Sequence, residues 1–131
     1  MASNNSEKGF TMIELVVVLV LIGLIAGIAI PKYLDVTTNA KEKTLKGSIT
    51  SIRDAVHMHY AKSIQDGTVA FPSLNATIFQ DGSVPADVYT PTNSVTLTTE
   101  NPISTFSGAG GWLYNEITGE VRANLPTYST W

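Results

Sequence analysis

The sequence predicts an α+β fold: one long N-terminal helix, apolar in its first half and amphipathic in its second, packed on a small antiparallel β-sheet of about three strands. Three observations carry this. From Phe10 to Ile30 the chain is apolar and holds a single charge, Glu14. Beyond Lys32, Leu45, Ile49, Ile52, Val56 and Tyr60 recur at steps of four, three, four and four, one face of a helix. After Gln65 the helix formers give way to Thr, Ser, Asn, Gly and Pro, with short alternating apolar runs between them.

The apolar run is closed by Pro31 and Lys32. As a helix rising about 1.5 Å per residue it covers roughly 30 Å, the thickness of a hydrocarbon core. A carboxylate near the start of such a run is costly without a partner. Glu14 is therefore a functional candidate. Gly23 and Gly27 form a small-xxx-small pair that permits close helix contact in lipid. Pro31 removes an amide donor and crowds the carbonyl of Gly27, which leaves the helix locally weak between Gly23 and Pro31.

Lys8, Gly9, Phe10, Thr11, Met12, Ile13, Glu14 and Leu15, followed by the apolar run and by Ile30, Pro31, Lys32 and Tyr33, resemble the N-terminus of a type IV prepilin. Pseudopilins of type II secretion share the signature. The resemblance is close over residues 8–34. It implies a type IV pilin-like fold, and a leader, residues 1–9, removed by prepilin peptidase between Gly9 and Phe10. It also implies N-methylation of Phe10 and assembly with copies of itself and related pilin-like subunits into a helical filament. The chain would sit in the inner membrane before assembly, then in a periplasmic or extracellular filament. By family analogy an inner-membrane platform and an assembly ATPase supply the energy. The family also suggests that the Gly23–Pro31 segment loosens on assembly.

Cleavage would create an α-amine on Phe10 with an ordinary pKa of about 7.7–8.0. That cation and Glu14 are natural counter-ions in low dielectric. In filaments of this family the glutamate meets the amine of a neighbour. Glu14 can equally satisfy free N–H groups in the first turn of its own helix. Both readings stand at this point. Two rival functions also stand. A secretory signal cleaved near Ala26, Gly27, Ile28 and Ala29 would release a soluble periplasmic binding or enzymatic domain, although its apolar core is usually about 7–15 residues. An uncleaved span would make a monomeric membrane-anchored receptor.

The expected organisation is residues 1–9 leader, 10–31 membrane and filament-core helix, 32–64 amphipathic helix, and 65–131 a β-rich head forming one domain with 32–64. The stripe extends to Ala40, His59 and Ile64, and Asp66 with Gly67 supplies the stop. His57 and His59 are two apart, so they cannot share a metal from one helix face. In the head, Leu74 to Phe79 reads as one short helical or irregular turn. Residues 94–98, 111–115 and 120–125 read as strands, with a four-residue hairpin loop, Glu116 to Gly119, that places Gly119 at positive φ. Residues 108–111 read as a flexible loop without the lysine or spacing of a phosphate loop.

Composition narrows the function classes. The net charge is −3 and there is no cysteine, hence no disulfide and no thiol chemistry. Many type IV pilins close a C-terminal loop with a disulfide, so this head must be fastened otherwise. Lys32, Lys41, Lys43, Lys46, Arg53 and Lys62 face only Asp35, Glu42 and Asp54 in the stem. Asp66, Asp81, Asp87, Glu100, Glu116 and Glu120 face only Arg122 beyond it. A basic stem thus carries an acidic head, which argues against nucleic-acid binding and suggests attraction between subunits. No nucleophile, base or metal set of catalytic type is present, so no enzyme activity is expected. Major pseudopilins often hold calcium in the head. Asp81, Asp87 and Glu100 are the candidate oxygens here, but without a dense ligand run solvated acids are the better reading, and no cofactor is expected. Asn75 and Thr77 match a glycosylation acceptor formally.

Overall fold

The computed structural model describes residues 9–131. Residues 1–8 of the expected leader lie outside the described residues. One α-helix, α1, runs Met12–Gln65 and contains Pro31 without interruption. Three short strands follow: β1 Val95–Leu97, β2 Trp112–Tyr114 and β3 Val121–Ala123. Single 3-10 turns lie at Ala76–Ile78 and Pro126–Tyr128. The chain divides into two units, one ending at Asn39 and one spanning Ala40–Trp131.

In the second unit the amphipathic stripe does what its period requires. Leu45, Ile49, Ile52 and Val56 are fully buried against Leu74, Val84, Trp112, Tyr114, Val121 and Ala123. Tyr60 is half-buried and stacks on Phe71 at 4.2 Å between ring centroids. Ala40 and Ile64, read as extending the stripe, are exposed. The helix ends in a Schellman arrangement: Gly67 takes φ +83, Gly67 N donates to Ile64 O at 3.1 Å, and Thr68 N donates to Ser63 O at 2.8 Å.

The sheet corrects one expectation. Its order is β1-β2-β3, with β2–β3 antiparallel as expected but β1–β2 parallel, Val95 opposite Trp112 and Leu97 opposite Tyr114. The sheet is therefore mixed. Parallel neighbours need a crossover of about a dozen residues or more, and residues 98–111 are long enough to supply it. The β2–β3 hairpin places Gly119 at φ +73, as its loop predicts. A Cβ there would lie 2.3 Å from Phe71 Cε1, so close packing as well as turn geometry requires glycine. Residues 108–111 are not a free loop: a Cβ on Gly110 would lie 1.6 Å from Thr90 Oγ1.

Without a disulfide, buried polar side chains fasten the loops to the sheet. Trp112 Nε1 donates to Pro85 O at 2.7 Å and Tyr114 Oη to Pro72 O at 2.6 Å. Burial pushes the Tyr114 phenol up to about 12, so it remains a donor. Asn124, fully buried, accepts from Ser107 N at 2.9 Å and donates to Ser107 Oγ at 2.7 Å. At the C-terminus Tyr128 hydrogen-bonds Tyr89 and lies 4.6 Å from Trp131, whose ring carries Lys46 Nζ at 4.2 Å. Arg122 pairs with Glu120 at 2.7 Å and donates to Ser129 O.

Candidate functional site

The site begins where the apolar helix begins. Thr11 precedes the first helical residue, and Glu14 stands three residues later. Glu14 N donates to Thr11 Oγ1 at 3.3 Å, and Glu14 Oε2 accepts from Thr11 N at 2.7 Å and Thr11 Oγ1 at 2.8 Å. This is a capping box, which satisfies two donors of the helix terminus reciprocally. The carboxylate is thus already held within its own chain. Thr11 is the residue that sequence reading passed over, although the Thr-x-x-Glu signal was there to be read.

Behind this cap the helix is long and apolar enough to cross a membrane: its most apolar stretch has a mean hydropathy of 3.0 and is 0% buried within the chain. Phe10 is 92% exposed, and the large apolar residues through Ile30 are exposed with it. Gly23 and Gly27 have open space where a Cβ would stand, so among the described residues nothing demands glycine there. Gly9 is likewise open. Apolar surface, small residues and Glu14 therefore share the first part of α1, where the large apolar side chains are exposed among the described residues.

The calcium candidates are not brought together. Asp81 is exposed and accepts from Ser83 N at 3.3 Å. Asp87 is fully buried, with its oxygens taken by Tyr89 N and by Thr90 N and Oγ1. Glu100 accepts from Ser104 N and Thr105 N, both at 2.9 Å, and from both hydroxyls. Each carboxylate closes its own loop, and among the described residues no group of three or more His, Cys, Asp or Glu could hold a metal ion. His57 is exposed and His59 half-buried. Arg53, counted among the basic residues of the stem, donates from Nη2 to Val121 O at 2.9 Å and so ties the stem to the edge strand β3.

α1 thus joins a capped start to a stretch long and apolar enough to cross a membrane. Residues 4–30 match the family described as the Prokaryotic N-terminal methylation motif. The chain is similar to type IV pilins. It is 38% identical over 69 residues to the type IV major fimbrial protein FimA of Dichelobacter nodosus, covering 53% of this chain and 41% of that protein. It is 40% identical over 48 residues to the type IV narrow pilus major component PilA5 of Thermus thermophilus, 37% of this chain and 41% of that one. It is 38% identical over 52 residues to the type IV major alpha-pilin of Moraxella bovis, 40% of this chain and 33% of that one. The matches thus span about two fifths or less of these relatives' length. No solved structure matches the chain.

Proposed function

We propose that the chain is a structural subunit of a type IV pilus-like filament, cut between Gly9 and Phe10, methylated on the new amine and assembled through its N-terminal helix. The observation that carries this is the capped apolar helix whose side chains are uncovered. Apolar surface on that scale needs a cover. Lipid of the inner membrane provides it before assembly, and the helices of neighbouring subunits provide it in the filament. Glu14 then exchanges the Thr11 amide for the methylated amine of a neighbour. Prepilin peptidase, a membrane platform and an assembly ATPase are the partners this life cycle requires. The role is structural rather than enzymatic, and it requires no cofactor. The similar proteins are named as major pilus components, which favours a pilus over a secretion pseudopilus.

Intact mass and N-terminal sequencing of membrane-extracted protein test the reading. The expected mature chain starts at Phe10 and carries one added methyl group. A mature start near Ile30, or an uncleaved chain as the sole species, overturns it.

A further inference from the structure

The head carries an exposed apolar pair that the core does not use. Ile117, on the β2–β3 loop, is 75% exposed, and Leu97, at the end of β1, is 60% exposed. The two line a shallow depression of about 590 Å³ together with Glu100 and Glu116. The depression is built rather than slack. Asn115, itself buried, accepts from Ile117 N at 2.8 Å and Thr118 N at 3.2 Å, and donates to Glu100 O at 2.7 Å. One side chain therefore sets both the apolar tip and the acidic wall. The Glu100 carboxylate is held in turn by Ser104 and Thr105, which keep it well below the usual carboxylate range, at about 2. No base lines the depression. The single base beyond Ile64, Arg122, is engaged by Glu120.

The complementary charge lies on the stem. Between Lys41 and Lys46 three lysines stand against Glu42 alone. Lys43 is exposed and, among the described residues, makes no ion pair. We propose that the Leu97–Ile117 depression of one subunit docks on the Lys41–Lys46 turn of α1 in a second copy of this chain. The apolar pair gives the contact its area, and Glu100 and Glu116 orient it toward the lysines. Two different surfaces meet, so the contact is head-to-tail, a kind that propagates into an open helical assembly wherever its rotation does not close a ring. The contact rests on the filament reading above and names a second interface within it, apart from the apolar helix. Holding Ile117 and Glu100 in place before contact lowers the ordering cost of binding.

The test uses the full chain as the sole copy in cells. The chain has no cysteine, so Ile117→Cys and Lys43→Cys place the only thiols. Sheared filaments of the double variant, treated with a short bismaleimide, should give a ladder of multimers, and either single variant should not. Glu116→Lys should lower filament yield several-fold, and adding Lys43→Glu to it should restore much of the loss. Filaments of the double-cysteine chain at normal yield without a ladder overturn the contact, as does Glu116→Lys at parental yield. If the unaltered chain is cleaved yet forms no filament, the filament reading fails first and this contact falls with it.

Discussion

The first half of α1 and the Ala40–Trp131 unit treat apolar surface and glycine in opposite ways. From Phe10 to Ile30 the apolar side chains surround the helix and stay exposed, whereas Leu45, Ile49, Ile52 and Val56 form one stripe and are buried within the chain. A helix apolar all round calls for cover from outside, and a striped one can be satisfied by its own domain. Glycine follows the same division. Gly23 and Gly27 meet nothing, while Gly110 and Gly119 are pressed against Thr90 and Phe71. The need for glycine in the head is written inside the chain. In the apolar helix no described neighbour demands it.

The sharpest way to break that contrast is at its one charge. Glu14→Ala should leave membrane insertion and cleavage intact and reduce filament yield by about a hundredfold or more, because breaking a buried pair costs about 3–5 kcal/mol at 1.4 kcal/mol per factor of ten. Glu14→Gln, which removes the charge and keeps the size, should fail nearly as badly. Thr11→Val isolates the cap: it removes the hydroxyl of the box and leaves the carboxylate, at a cost of about 1 kcal/mol. Filament yield, with processing checked by mass, should place Thr11→Val near the parent. If Thr11→Val fails as Glu14→Ala does, the capping box rather than the intersubunit pair is what assembly needs.

The second half should stand without the first. A fragment of residues 32–131 is expected to be a soluble, folded monomer by sedimentation and circular dichroism, since its stripe is covered internally. In that fragment Ile52→Ala should cost about 2–5 kcal/mol in denaturant unfolding, the range for a fully buried aliphatic side chain. A stable oligomer of the fragment, or an Ile52→Ala midpoint equal to the parent's, would erase the contrast between the two regions.

How much of this was legible follows from how local each signal is. The helix limits, the stripe, the three strands and the Gly119 turn all rest on short periods or single turn residues, and all are present. The parallel pairing of β1 with β2 depends on the path of residues 98–111, which has no period to read. A stem arginine ordinarily reads as a solvated charge, yet the long side chain of Arg53 reaches a strand-edge carbonyl. Asn115 and Asn124 fall at or near the ends of runs that read as strands, and nothing in the sequence marks them as buried. They are buried because the folded chain supplies partners for both ends of each amide. Asp81, Asp87 and Glu100 likewise each answer donors two to five residues away, local partners that an acidic residue in a loop does not announce.

The glycine contrast gives a smaller effect. Gly119→Ala puts a Cβ at positive φ and against Phe71, and should destabilise the fragment by about 1–3 kcal/mol. Gly27→Ala in the full chain should leave the head's unfolding unchanged, since nothing in the chain stands near its Cβ. Equal stability of Gly119→Ala and parent fragments in thermal melts would mean that the β2–β3 loop re-forms without glycine.

The smallest expected effect lies on the acid side of the head. Ser104 and Thr105 hydrogen-bond the Glu100 carboxylate and hold its pKa at about 2, against an ordinary 4.5. As pH falls the unfolded chain takes up this proton first. The contribution of Glu100 is therefore complete above about 4.5 and is lost as pH falls toward about 2. Glu100 is only half-buried, so solvent screening keeps the effect small. Thr105→Val removes the hydroxyl that lowers the pKa most and leaves the other acids as they were. Thermal midpoints of the 32–131 fragment at pH 6 and pH 3 should fall less in Thr105→Val than in the parent, because part of the acid-labile stability is already absent. Every other titrating group is shared by the two proteins, so the difference between the two drops belongs to Glu100. Equal drops would show that these hydrogen bonds hold the 100–105 loop without coupling its stability to the proton.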